Sequence, residues 1–104
     1  MVKKTGTEIP LMAVFTAKPG KEDELVETIY GLMEPTLAEE GCMRFIVYQD
    51  KENPAVVTAI EKFASQEAFD KHVEMPYIKD FLGNKVPELT ATDPVITFHQ
   101  ELLV

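Results

Sequence analysis

Hydrophobic and polar residues follow two different periods along the chain, and the changes of period predict the order of the elements. Strand-forming residues fill positions 9–17 and end at the turn sequence Lys18–Gly20. Apolar residues then recur every three or four positions, which predicts a helix over about 21–40. Gly41 is a suitable C-cap for this helix, and Pro35 should kink it or end its regular part early.

A hairpin and a second helix are predicted next. Two β-type runs at 42–49 and 55–63 are separated by a short polar turn, which is typical of an antiparallel hairpin. Ser65 is a good N-cap for a helix over 66–74.

The last part of the chain predicts a short helix and a final strand. Pro76 stops the second helix and is well placed to start another, which we expect Gly83 and Asn84 to close. Residues 84–93 have no regular pattern, and residues 94–103 predict a strand.

The resulting order, β-α-β-β-α-β, is that of the ferredoxin-like α+β fold, in which helices cover one face of a four-stranded antiparallel sheet. The other face of such a sheet is normally polar. In the first strand, however, Leu11 and Ala13 point one way while Met12 and Val14, also apolar, point the other. Because one chain covers only one face, we expect the second face to meet another copy, giving an obligate homodimer with a dimeric α+β barrel.

Length and composition fit one domain at residues 9–104, preceded by a flexible lead-in at 1–8, in a chain of 104 residues. The net charge of −8 makes nucleic acids and anionic membranes poor partners. No apolar run approaches the roughly 18 residues that span a bilayer. The single cysteine, Cys42, excludes an internal disulfide and fits a reducing compartment, so we expect a cytoplasmic protein.

The sequence has none of the usual cofactor or metal motifs. It contains no glycine-rich phosphate loop, nucleophile elbow or paired cysteines. His72 and His99 have no histidine or cysteine at ligand spacing, so we predict no metal and no cofactor. The carboxylates of the first helix, Glu39 among them, are interpreted as a solvated acidic face, and Cys42 as a small packed side chain.

His72 is the best candidate for chemistry, although a histidine with this spacing is more often a core residue with one hydrogen bond. It shares a helix face with apolar residues that should press on the sheet. The aromatic residues Phe63, Phe69, Tyr77 and Phe81 belong to the same end of the domain. We expect them to form an apolar small-molecule site with an imidazole and a phenol as its few polar groups.

Arg44, the only arginine, lies on a predicted strand. It could form a salt bridge with Glu61 across the hairpin, or hold an oxygen atom of a ligand.

Several segments resemble the antibiotic biosynthesis monooxygenase family, a group of dimeric α+β barrels that includes quinol monooxygenases. The resemblance covers about residues 9–100. Its segments are the turn at 17–21, the helix end at 35–42, the strand residues 44–45 and 48–50, Glu61–Phe63, Glu67–His72 and Met75–Tyr77.

This resemblance implies cofactor-independent oxygenation of a quinol-like or polycyclic aromatic substrate in a dry pocket. His72 matches the family's helix histidine and would be the base or the substrate anchor. Phe63 stands where many members have tryptophan and would form an aromatic wall. Tyr77 replaces a second histidine found in many members, and the chain's lack of tryptophan argues against the similar haem-degrading branch.

Two other functions remain open at the level of sequence. Some relatives that this chain resembles equally well isomerise small phosphorylated carbonyl compounds, which require cationic contacts that are scarce here. A non-catalytic dimer that binds a small hydrophobic or aromatic molecule would need the same apolar pocket as the monooxygenase.

Overall fold

The computed structural model describes all residues, 1–104, and confirms the α+β fold with one four-stranded antiparallel sheet. The strands of this sheet are β2 (Ile9–Thr16), β3 (Cys42–Gln49), β4 (Val56–Phe63) and β5 (Val95–Phe98). Their order in the sheet is β3-β4-β2-β5.

The predicted final strand is interrupted, and the lead-in is not without structure. After β5, the backbone N–H of His99 still donates to the carbonyl of Pro10, but regular pairing ends there. A separate strand β6 (Leu102–Leu103) pairs with β1 (Lys3–Lys4) in a small two-stranded sheet. The prediction of one strand over 94–103 was therefore wrong.

The predicted helix over 21–40 is divided into α1 (Glu22–Tyr30) and α2 (Met33–Leu37), which agrees with the expected effect of Pro35, but it ends at Leu37 and not near residue 40. Pro35 explains the break, since it has no N–H to donate to the carbonyl of Gly31 four residues earlier. It is tolerated in the first turn of α2, where an N–H has no helical partner anyway. Helix α2 ends at Leu37 with Ala38 as its C-cap, so Gly41 does not cap the helix.

Helix α3 (Gln66–Glu74) agrees with the prediction, and the Ser65 side chain caps it by accepting from the N–H of Ala68. Helix α4 (Pro76–Asp80) begins at the predicted proline. It does not close at Gly83 and Asn84, as predicted. It continues through a wide π turn (Phe81–Lys85) into α5 (Val86–Leu89). None of the helices is long and apolar enough to cross a membrane.

The π turn is explained by the spacing of the buried residues. Phe81 and Val86 are five positions apart and both are buried, at 4% and 7% exposed. A π turn brings residues i and i+5 to the same side, whereas an α-helix would rotate one of them away from the core.

The two faces of the sheet differ as the alternation predicts. Leu11, Ala13 and Phe15 of β2 are buried in the face that the helices cover. The opposite face is open and carries exposed apolar side chains, including Tyr48 at 57% and Val95 at 60% exposed.

Candidate functional site

A narrow cavity lies between the covered face of the sheet and the helices. Its volume is about 60 Å³, and thirteen of its fifteen lining residues are hydrophobic. The two others are Glu61 and His72. The hydrophobic residues are Leu11, Ala13, Phe15, Ile29, Leu32, Phe45, Ala59, Phe69, Val73, Ile78, Phe81, Leu82 and Ile96. Leu82 and Ile96 are 38% and 44% exposed, so the cavity opens to solvent beside them.

His72 lies near the end of α3 and is 5% exposed. Its imidazole packs against the ring of Phe63, with 4.7 Å between the ring centroids. Phe69, one turn earlier on α3, contacts Phe63 edge to face. These contacts hold the imidazole in one place at the wall of the cavity.

The carboxylate of Glu39 forms a hydrogen bond with Nδ1 of His72. Nδ1 of His72 and Oε2 of Glu39 are 2.9 Å apart, and both side chains are at least nine-tenths buried. The Tyr77 hydroxyl donates to the same carboxylate oxygen, and Oγ1 of Thr36 lies 3.5 Å from that hydroxyl. Because a carboxylate only accepts, this arrangement favours a proton on Nδ1 and leaves Nε2 free to accept one.

Tyr77 acts in this cluster as a hydrogen-bond donor. Burial, with the hydrogen bond to Glu39 as the next cause, raises the pKa of Tyr77 to about 12. The phenol therefore keeps its proton at neutral pH and cannot serve as a base there.

A close approach between backbone segments brings Glu39 to His72. A Cβ atom added to Gly41 would lie 2.3 Å from the Cβ of Ala68 on α3. The carbonyl of Gly41 also accepts a hydrogen bond from the N–H of Ala64, at 2.8 Å. Gly41 therefore serves the packing of the segment after α2 against α3, which is a different role from the predicted helix cap.

Glu61 is the other polar group of the cavity. Its side chain is 8% exposed, and its Oε1 lies 3.7 Å from Nε2 of His72. Burial and, to a smaller extent, the negative charge of Glu39 raise the pKa of Glu61 to about 7. Two carboxyl groups thus face one imidazole from opposite sides.

The predicted site residues divide between the cavity and its surroundings. His72, Phe69 and Phe81 line the cavity. Phe63 is fully buried behind the imidazole, and Tyr77 holds Glu39, so these two do not line the cavity as predicted.

Arg44 lies away from the cavity. It is paired with Lys62 across the hairpin, while Glu61 pairs with Phe45 and faces the helices. The predicted salt bridge between Arg44 and Glu61 is therefore wrong, because the register that runs from the hairpin turn pairs Arg44 with Lys62, and successive residues of β4 point to opposite faces.

Cys42 behaves as a packed side chain. Burial raises the pKa of its thiol to about 11, and the sulfur lies 3.6 Å from the carbonyl oxygen of Arg44. At neutral pH it stays a thiol, which is a poor nucleophile.

Glu39 and Glu61 were missed as site residues. The interpretation of Glu39 as part of a solvated helix face was wrong, because α2 ends at Leu37 and helical periodicity no longer applies two residues later. Glu61 could have been found, since strand alternation puts it on the same face as Phe63 and Ala59. The described residues contain no group of three or more potential metal ligands.

Comparisons with known proteins point to one family. The family model for antibiotic biosynthesis monooxygenases matches residues 9–83. The uncharacterized protein sll1783 of Synechocystis sp. (strain ATCC 27184 / PCC 6803 / Kazusa) is 26% identical over 99 residues, covering 95% of this chain and 67% of its own length.

Solved structures match the whole fold. Protein SO0527 from Shewanella oneidensis is 27% identical, with a TM-score of 0.95 and complete coverage of both chains. The crystal structure of an antibiotic biosynthesis monooxygenase matches with a TM-score of 0.80 at 19% identity, covering 88% of this chain and 95% of the other. At that identity the second likeness concerns the fold alone.

Proposed function

The chain belongs to the antibiotic biosynthesis monooxygenase family, and we propose that it is a cofactor-independent monooxygenase that oxidises a quinol-like aromatic with O₂. The observation that carries this proposal is the orientation of His72. Its Nδ1 is bound to Glu39, while its Nε2 points toward Glu61 at the wall of an apolar cavity. One nitrogen is held in place and the other is available to a substrate hydroxyl.

In the first step, Nε2 of His72 accepts the proton of the substrate hydroxyl. The imidazolium that forms lies between two carboxyl groups, and Glu39 stabilises it through the hydrogen bond at Nδ1. The substrate becomes an electron-rich anion in a cavity with little water, where its charge is poorly solvated and reactive.

In the second step, this anion supplies the electrons that O₂ needs. The substrate as a whole loses two hydrogen atoms and gains one oxygen atom, and the second oxygen atom leaves as water with those two hydrogens. A quinol and O₂ would give a hydroxyquinone and water. Electrons and atoms balance without a flavin or a metal, so the role of the protein is to bind, deprotonate and exclude water.

The composition of the cavity supports this substrate class over phosphorylated carbonyl compounds. No lysine or arginine is among the residues that line it. A phosphate group needs cationic partners or clustered backbone N–H groups, and it would here meet the carboxyl group of Glu61 instead.

We also propose that the working form is a homodimer joined through the open face of the sheet. Exposed apolar side chains such as Tyr48, Ile46 and Val95 give this face the composition of a buried interface. A second copy packed there would complete the barrel that the family resemblance implies. The cavity lies on the other face, beneath the helices of its own chain.

Oxygen uptake with a panel of quinols and anthrones tests the monooxygenase proposal. We expect His72→Ala to lower turnover about a hundredfold or more, the usual contribution of a general base. Lys71→Ala is the matched control, since this neighbour on α3 is exposed and makes only a surface ion pair with Glu67. A folded His72→Ala protein with native oxygen uptake would contradict the role of His72. Ligand binding without oxygen uptake would indicate a non-catalytic protein that binds a small hydrophobic molecule.

A further inference from the structure

Glu61 has no evident structural role at its position. It lies on a strand face between Ala59 and Phe63, where alternation calls for apolar side chains, and its side chain is 8% exposed. No hydrogen bond within the chain satisfies its carboxyl group, and its closest ionisable neighbour is Nε2 of His72 at 3.7 Å. The Glu61 side chain therefore loses most of its hydration without gaining a hydrogen bond, while its oxygen atoms keep some accessible area because no fully buried polar atom of the chain lacks a partner. A carboxyl group in this setting is well placed to meet a ligand.

The cavity presents the carboxyl group directly to that ligand. Glu61 and His72 are the only polar side chains among the residues lining the cavity. Any polar group that a bound molecule carries inward must therefore meet these two side chains, because the remaining wall offers only hydrocarbon. Glu39 is not among the lining residues and is occupied by Nδ1 of His72 and by Tyr77.

We propose that Glu61 determines the charge of the ligand that the cavity accepts: it excludes carboxylated and phosphorylated molecules from Nε2 of His72 and admits uncharged aromatics that carry a hydroxyl group. The physical reason is that two anionic groups within a few ångströms repel strongly where water is excluded. A hydroxyl group, by contrast, can donate to Glu61 or to Nε2 and satisfies the group that has no partner. This inference rests on the proposed function, in which the cavity is the substrate site.

The size of the cavity limits how the ligand is bound. At roughly 10–15 Å³ per water molecule, a cavity of about 60 Å³ holds only a few waters. A benzene ring needs more than that, so the ring must extend toward the mouth beside Leu82 and Ile96. Only the polar end of the ligand then reaches Glu61, which is why the charge of that end decides binding.

Phenol and benzoate test the inference, because each places one polar group on a single aromatic ring. Their affinities for the native protein are compared by calorimetry at pH 8, where benzoate is charged and phenol is not. We expect phenol to bind at least tenfold more tightly than benzoate. In Glu61→Gln, benzoate should gain at least tenfold, while phenol changes less than about threefold. Equal affinities in the native protein, no binding of phenol, or an unchanged ratio in Glu61→Gln would each overturn the inference.

Three further variants make the result specific. Glu67→Gln removes the same charge from the exposed face of α3 and should leave the ratio unchanged. Glu61→Asp keeps the charge and should keep the discrimination. Glu61→Met replaces the charged side chain with an apolar one of similar length. If the Glu61→Gln variant does not fold, Glu61→Met takes its place, and its affinity for benzoate should rise in the same way.

The native protein also supplies an independent measurement. Glu61 faces Glu39, Cys42 and His72, and the charge on Glu61 grows as the pH rises through about 7. The preference for phenol over benzoate should therefore increase between pH 6 and pH 8. A constant preference over that range would contradict the inference.

The role of Glu61 in ligand selection and the proposed monooxygenase activity are tested by different measurements and can fail separately. A protein that prefers phenol through Glu61 but consumes no oxygen with any quinol would retain this selectivity and lose the monooxygenase assignment. A protein that consumes oxygen, but whose Glu61→Gln variant binds benzoate no better, would contradict the role of Glu61 alone.

Discussion

Nδ1 of His72 and Oε2 of Glu39 lie 2.9 Å apart, and this contact joins helix α3 to the segment that follows α2. The pair is buried at the end of the cavity, where Tyr77 adds a second hydrogen bond to the same carboxylate. A neutral imidazole has one protonated nitrogen, and a carboxylate partner determines which one it is. In the proposed mechanism, Glu39 therefore acts through His72 as a positioning residue.

Glu39→Gln should lower turnover by roughly tenfold to a hundredfold, the usual effect of removing the group that orients a reactive imidazole. The amide removes the charge that stabilises the imidazolium, and it can also favour the wrong tautomer by donating to Nδ1. The loss should fall on kcat with KM little changed, since Glu39 contacts the imidazole and does not line the cavity. Glu40→Gln is the control, because Glu40 is exposed. A native kcat in Glu39→Gln would contradict the positioning role.

Tyr77→Phe should have a smaller effect on activity than Glu39→Gln, because the contact between Glu39 and His72 remains. It removes one hydrogen bond to a partly buried carboxylate, so the free energy of unfolding should fall by about 1–2 kcal/mol. Urea unfolding measures this change, and Tyr30→Phe is the matched control, since Tyr30 is 71% exposed. A loss of activity as large as that of Glu39→Gln would instead indicate that the phenol touches the substrate.

The sequence pattern predicts the sheet and its two faces well, because strand alternation and turn residues act locally. The presence of Pro35 predicted a break in the first helix, but the periodicity did not show that the second part would end already at Leu37. That early end also hid Glu39, whose inward position follows from it. The long-range contact with His72 then depends on how closely Gly41 approaches α3.

The polar part of the site was predicted only in part for a related reason. Periodicity placed His72 on a buried face, as observed, but it cannot show which polar side chains meet across elements. Arg44 illustrates the limit, because the register of the hairpin pairs it with Lys62 and so places it on the face opposite to Glu61. A difference of one residue in register leaves no clear mark in the hydrophobic pattern of strands that carry apolar residues on both faces.

The stability of the protein should depend on pH through Glu61. Its pKa is about 7 in the folded chain and about 4.5 when exposed, so between these values the folded state holds a proton that the unfolded state releases. The free energy of unfolding should therefore fall as the pH rises from about 4.5 to 7, by on the order of 3 kcal/mol from this group. Urea unfolding of the native protein and Glu61→Gln at pH 5 and pH 8 measures the difference. The free energy of unfolding should change less with pH in Glu61→Gln than in the native protein. The same change in both proteins would contradict the prediction.

If the proposed homodimer forms, the protein should sediment at about 23 kDa, twice the chain mass of 11.7 kDa. Tyr48→Asp, on the open face of the sheet, should shift the equilibrium toward monomer, because burying an unpaired charge at an apolar interface is unfavourable. Tyr30→Asp makes the same change at the end of α1, on the side of the helices, and should leave the dimer intact. Analytical ultracentrifugation at micromolar concentration measures both. A monomeric native protein, or equal effects of the two variants, would contradict an interface at the open face.

The effects of substitutions at Gly41 and Ala68 on the free energy of unfolding should not be independent, because the two residues touch where the segment after α2 packs against α3. A methyl group at position 41 would lie 2.3 Å from the Cβ of Ala68, far inside van der Waals contact, while Gly41 has no positive φ that would itself require glycine. Gly41→Ala should therefore destabilise the protein by about 1–3 kcal/mol, the usual effect of overpacking. It should also weaken the contact of Glu39 with His72 by moving the segment away from α3. Gly83→Ala is the control, since a Cβ there meets nothing within 4 Å.

Ala68→Gly removes the opposing methyl group, so the double variant should be more stable than the sum of the single effects predicts. Urea unfolding of the native protein, Gly41→Ala, Ala68→Gly and the double variant measures this difference. Strictly additive changes in the free energy of unfolding would show that the two residues do not meet.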